Sequence, residues 1–178
     1  TDVGTVWKTY RVYLNQPRVD ISIRFQWRDV VPKYFRLGRI NINPKAFNRS
    51  SLQVVSVNGG DDPEEMTLSE RHVYHDEIKD SGVTAHCCLG ATEGWTVLKD
   101  AYKGLGLITR PATLYSVPLL HYEEPKENKA DFFLNLTHSL DEWDDTSHTL
   151  WRGHSTWDMT ILGGGNDIVT RTQTSALL

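Results

Sequence analysis

The chain has 178 residues, of which 39% are hydrophobic and 24% charged. This length supports a single domain with a sizeable core, and the ordinary charged fraction excludes wholesale disorder. No apolar run approaches the roughly 18 residues of a membrane span. The net charge of −4 is unevenly spread: residues 1–58 hold ten Lys/Arg against three Asp/Glu, and residues 59–178 hold nine against twenty. The chain as a whole is therefore not expected to bind nucleic acid, and any such contact is confined to the basic 1–58 region. The opening Thr1-Asp2-Val3-Gly4 has neither a methionine nor the basic-then-apolar layout of a signal peptide, so it reads as a processed or excised piece.

Alternation dominates the chain. In residues 6–14, Val6, Lys8, Tyr10, Val12 and Leu14 oppose Trp7, Thr9, Arg11 and Tyr13. After Asn15-Gln16-Pro17 the pattern sharpens: Val19, Ile21, Ile23, Phe25 and Trp27 share one face, with Asp20, Ser22, Arg24, Gln26 and Arg28 on the other. A period of two over ten residues predicts a half-buried strand. Further strands are predicted over 34–42, 52–57, 72–78, 83–89, 105–109, 113–122, 132–136, 149–151, 156–162 and 168–172. Asn43-Pro44, Asn58-Gly59-Gly60, Asp80-Ser81-Gly82, Arg110-Pro111 and Gly163-Gly164-Gly165-Asn166-Asp167 separate them as turns. Many short strands at near-regular spacing predict an all-β fold, an antiparallel β sandwich of jelly-roll type. One short helix is expected near 92–103, where Thr92 offers a cap and Trp95, Leu98, Ala101 and Tyr102 recur at helical spacing before Gly104. A second helical turn is expected over 63–70, and the acidic stretch 123–129 reads as an exposed loop.

Several groupings carry possible chemistry. Adjacent Cys87 and Cys88 cannot easily bridge each other, because a disulfide places Cα atoms about 5–6 Å apart. Two free thiols and synthesis in a reducing compartment follow. His72, His75 and the neighbouring Asp76 and Glu77 would alternate across a strand, which works against shared metal ligation. Asp141, Asp144 and Asp145 surround Trp143 in an oxygen-rich segment that suits Ca2+, although it lacks EF-hand spacing. Trp143, Trp151 and Trp157, with His154 and Asp158 nearby, form a candidate receptor- or glycan-binding group, in which ring faces stack on sugar C–H faces and polar groups take hydroxyls. The competing reading makes Trp151 and Trp157 core residues of two strands. No nucleophile elbow or phosphate loop is present, so no catalytic residue is assigned.

The run Val3-Gly4-Thr5-Val6-Trp7-Lys8-Thr9-Tyr10-Arg11-Val12-Tyr13-Leu14-Asn15-Gln16-Pro17 resembles the last shell strand in coat proteins of small non-enveloped icosahedral RNA viruses of the tombusvirus and nodavirus kind. There the strand reads Gly-x-x-aromatic-x-x-Tyr-x-Val-x-Leu-x-x-Pro and precedes a protruding β domain. The resemblance covers about fifteen residues. It implies a structural capsid component or protrusion, found in the virion and made in the cytoplasm. Its partners would be other capsid subunits and a host receptor or glycan. It leaves residues 1–17 either within a single 1–178 domain or as a strand of a neighbouring shell domain. The alternatives are a lectin-like, carbohydrate-binding β sandwich and a β-sandwich hydrolase using a pair such as Asp144 and Asp158.

Overall fold

The computed structural model describes residues 3–31, 34–42, 46–57, 62–67, 89–91, 94–110, 117–123, 132–139 and 150–178. The architecture is all-β, antiparallel and sandwich-like, with strands in two sheets. Strands β1 (Gly4–Val12), β2 (Arg18–Val30), β4 (Gln53–Ser56), β5 (Glu64–Thr67), β7 (Trp95–Lys99), β8 (Gly104–Arg110) and β11 (Trp151–Gly164) form the larger sheet. Its order is β1-β2-β11-β8-β7-β4-β5. The smaller sheet holds β3 (Tyr34–Ile42), β10 (Phe132–Ser139), β9 (Val117–Glu123) and β6 (Leu89–Ala91), in that order. Three sequence-adjacent hairpins, β1–β2, β4–β5 and β7–β8, supply most of the larger sheet. The long β11 closes the gap between β2 and β8.

The two faces of the larger sheet are buried differently. On one face Ile23, Phe25 and Trp27 of β2 meet Trp151, Trp157 and Met159 of β11 and Leu107 of β8. Phe25 and Trp27 stack at 4.7 Å, while Trp157 meets Phe25 edge-on at 5.2 Å and 88°. Trp151 stands edge-on to Trp27 at 4.8 Å. Such pairs contribute about 0.5–1.5 kcal/mol each beyond the area they bury. The alternating face predicted over 19–28 is this core face. The Trp27 indole N–H donates to Ser155 Oγ at 3.0 Å, so its polar edge is satisfied within the cluster.

On the opposite face lies the helix α1 (Ile168–Ala176). Ile168 packs into a second cluster with Val55, Trp95, Val97, Ile108 and Leu162. Close docking depends on missing side chains: a Cβ on Gly106 would overlap the Thr172 hydroxyl, and one on Gly104 would lie 2.6 Å from Ile168 Cγ2. Thr172 is fully buried and turns its hydroxyl back to donate to the Ile168 carbonyl at 2.7 Å.

Five sequence expectations are corrected. Over the described residues 94–103, the helix expected near 92–103 is strand β7 and the turn that leads into β8. Residues 95–98 are buried on both faces, so the two-residue period vanishes from the sequence and the Trp95/Leu98 spacing mimics a helix. The strand expected over 168–172 is instead helix α1. Its β-branched residues favour a strand, but Ile168 and Thr172 lie one turn apart and bury together against the sheet, and packing overrides propensity. The helical turn expected over 63–70 is, over Glu64–Thr67, strand β5. Residues 163–167 lead from β11 into α1 and do not close a hairpin. The strands expected over 149–151 and 156–162 are one element, β11, bulged between Trp151 and Gly153. Expectations over 72–78 and most of 83–89 lie outside the described residues.

Candidate functional site

Two surface features involve β1 and its neighbours. The first is the outer edge of β1 itself. β1 pairs with β2 from Gly4↔Trp27 to Val12↔Val19. It stands last in the sheet order, and among the described residues no strand pairs with its other side. Two flanking bonds fix which backbone groups point outward. Arg28 N donates to Val3 O at 3.2 Å, and Tyr13 N donates to Arg18 O at 3.3 Å. Both join residues opposed in the same register, so odd-numbered residues of β1 bond to β2. By antiparallel alternation the N–H and C=O of Val6, Lys8, Tyr10 and Val12 point away from the sheet. Large apolar side chains along this edge are open to solvent beside Lys8, Thr9 and Arg11: Trp7 is 46% exposed, Tyr10 60% and Val12 69%, and Leu14 just beyond the strand is 99% exposed. Arg24 of β2 lies over the Trp7 ring at 5.7 Å. Gly4 is needed where the chain enters the strand, because its φ is +137° and a side chain there would strike the Gln26 carbonyl.

The second feature is an open depression of about 290 Å³ on the helix-bearing face of the sheet, lined by Thr9, Arg11, Arg18, Asp20, Asp158 and Thr160 among others. Asp20 is its hub. Arg18 Nε donates to Asp20 Oδ1 at 2.8 Å and Arg18 Nη2 to Oδ2 at 3.2 Å. Thr160 Oγ1 donates to Oδ1 at 2.8 Å and Tyr13 Oη to Oδ2 at 2.7 Å. Burial pushes the Asp20 carboxyl upward, but the donors Arg18, Tyr13 and Thr160 and the Arg18 charge outweigh it and hold the group at about 2. The hydrogen bond to Asp20 raises Arg18 in turn, against an opposing effect of burial. With its acceptor sites filled from within the chain, Asp20 ties β1, β2 and β11 together.

Of the residues singled out in the sequence, the described ones are Trp151, His154, Trp157 and Asp158, all on β11. Trp157 is 1% exposed and Trp151 is 9% exposed, both inside the aromatic core. They are core residues, the second of the two readings the sequence left open, and not stacking platforms: a ring packed on its neighbours leaves no face for a sugar. His154 and Asp158 stand on exposed positions of the same strand, and only Asp158 borders the depression. Trp143, Asp141, Asp144 and Asp145 lie outside the described residues, as do His72, His75, Cys87 and Cys88. Among the described residues no group of three or more His, Cys, Asp or Glu is placed to hold a metal ion, and no helix is long and apolar enough to cross a membrane.

The Asp20 hub carries only a partial signal in the sequence. The polar alternation of β2 placed Asp20 and Arg24 on one face, but the contact with Thr160 comes from the distant β11 and has no local signal. No protein-family model matches the chain, and no curated protein matches it.

Proposed function

We propose that the chain is a structural, non-catalytic coat component or protrusion of a non-enveloped virus, working through subunit association and attachment to a host surface. The observation that supports this reading most is the strand β1. The residues that resemble a viral shell strand form a sheet edge that no strand covers among the described residues, and it carries exposed Trp7, Tyr10 and Val12. Unpaired edges of this kind template association with another chain unless they are covered. In this reading the partners are other coat subunits, the protein resides in the virion after synthesis in the cytoplasm, and host recognition falls to loops carried on the sheets. The burial of Trp151 and Trp157 weighs against the lectin alternative, which needs aromatic faces open to a sugar.

The test is the assembly state of the purified chain. Light scattering and negative-stain microscopy over a wide concentration range are expected to show concentration-dependent oligomers or particles. A strict monomer throughout, joined to glycan binding, would replace this reading with the lectin-like one.

A further inference from the structure

We propose that β1 pairs antiparallel with the β1 of a second copy, about a two-fold axis that passes between the two Thr9 residues. This rests on the self-association reading above and names the surface that carries it.

The backbone restricts the possible registers. Along β1 it is the even-numbered residues, Val6, Lys8, Tyr10 and Val12 among them, that direct their N–H and C=O outward, so the hydrogen-bonded pairs of a new ladder must join even-numbered residues to even-numbered residues. A two-fold partner can then be centred on Lys8, Thr9 or Tyr10, or further out with fewer bonds. Centring on Lys8 places two ammonium groups directly opposite each other, which is destabilising. Centring on Tyr10 sets Lys8 against Val12. Centring on Thr9 sets Val6 against Val12, Lys8 against Tyr10, and Trp7 against Arg11 of the other copy.

That third register matches chemistry pair by pair. Val6 and Val12, both exposed in the single chain, cover each other on the face continuous with the Ile21 and Ile23 side of β2. The Lys8 stem lies along the Tyr10 ring with its ammonium in water. Arg11 of the second copy reaches the indole of Trp7, the ring that Arg24 already approaches at 5.7 Å within one chain. The two Thr9 hydroxyls face each other at the axis, where Thr–Thr pairs are favourable. The contact is isologous and closes as a dimer. It merges two seven-stranded sheets edge to edge.

Single-cysteine variants read the register directly. Opposed residues that do not exchange hydrogen bonds have Cα atoms about 4.5 Å apart, inside the range a disulfide spans. Under mild oxidation, Thr9→Cys is expected to give a covalent dimer linked through position 9, located by non-reducing peptide mapping so that bridges at Cys87 or Cys88 are told apart. Lys8→Cys alone is expected to give no bridge at position 8, nor Tyr10→Cys at position 10, whereas a mixture of the two variants links 8 to 10. A second variant tests the edge without oxidation. Lys8→Pro removes one outward N–H and leaves the bonds to β2 intact, so circular dichroism is expected to be unchanged while the dimer dissociation constant rises at least tenfold. A bridge at Lys8→Cys or Tyr10→Cys, or oligomers with no bridge at position 9, would overturn this register while leaving the coat reading in place. A chain that stays monomeric at all concentrations would overturn both.

Discussion

The Thr160 hydroxyl donates to the Asp20 carboxylate at 2.8 Å, joining two residues 140 positions apart in the chain. Arg18 and Tyr13 donate to the same carboxylate from the β1–β2 hairpin, so one side chain holds the hairpin to β11. The two strands also share a full ladder, from Val30↔Trp151 to Arg18↔Leu162. Asp20 thus adds a charged tie to the end of the ladder that lies nearest the turn.

This tie predicts a specific pH dependence. The Asp20 carboxyl is held at about 2, below its ordinary value of 3.8. A folded-state value below the unfolded one means that the stabilisation is present above pH 4 and is lost as pH falls from about 4 to 2. After solvent screening it amounts to about 1–2 kcal/mol. Urea unfolding at pH 7 is expected to show Asp20→Asn less stable by that amount. At pH 2 the difference between variant and wild type is expected to shrink toward zero. A constant gap across that range would mean that the carboxylate's charge contributes nothing.

A second carboxylate, Asp100, is buried and organises the β7–β8 turn. Asp100 accepts from the backbone N–H of Asn48 at 2.7 Å, of Tyr102 at 2.8 Å and of Lys103 at 2.9 Å. Burial pushes its carboxyl upward, but the three backbone donors hold it below the ordinary value. Asp100→Ala leaves those part-buried donors without their acceptor and is expected to cost about 1–3 kcal/mol. Thermal melts at neutral pH provide the measurement, and a loss below 0.5 kcal/mol would show that water replaces the carboxylate freely.

The α1 docking surface makes a steric prediction. Gly106→Ala places a methyl group against the buried Thr172 hydroxyl. The helix must move outward, so the substitution is expected to destabilise by about 1–3 kcal/mol. The double variant Gly106→Ala/Thr172→Ala is expected to recover part of that loss, because the second change removes the group that clashes. Equal stability of the wild type and Gly106→Ala in denaturant titrations would show that the helix is not seated this closely.

How much of this was legible in the sequence depends on which faces are buried. β2 is core on one face and polar on the other, so its pattern gave both its type and its inward residues, Ile23, Phe25 and Trp27. β7 is covered by α1 on one side and core on the other. Trp95, Thr96, Val97 and Leu98 are all buried, and a run without contrast carries no period. α1 is written in β-branched residues, and only the glycines at 104 and 106 and the cluster around Ile108 make a helix the better way to bury Ile168 and Thr172. The exposed edge of β1 was hidden for a related reason. Val6, Tyr10 and Val12 have the spacing of a core face, and a sequence does not reveal whether a strand has one neighbour or two. The Asp20 hub needed the register of β11 against β2, which no local pattern specifies.

Core and surface alternate on β11, where Trp157, His154 and Asp158 lie close together in the sequence. Trp157 is 1% exposed and touches Phe25, Trp27 and Trp151. Trp157→Ala removes a large ring from a packed cluster and is expected to cost about 3–5 kcal/mol. His154 and Asp158 are exposed, and His154→Ala and Asp158→Asn are each expected to stay within about 0.5 kcal/mol of wild type. Urea titrations followed by tryptophan fluorescence measure all three. If Trp157→Ala were as stable as wild type, the ring would lie outside the core and an aromatic binding platform on this strand would return to consideration.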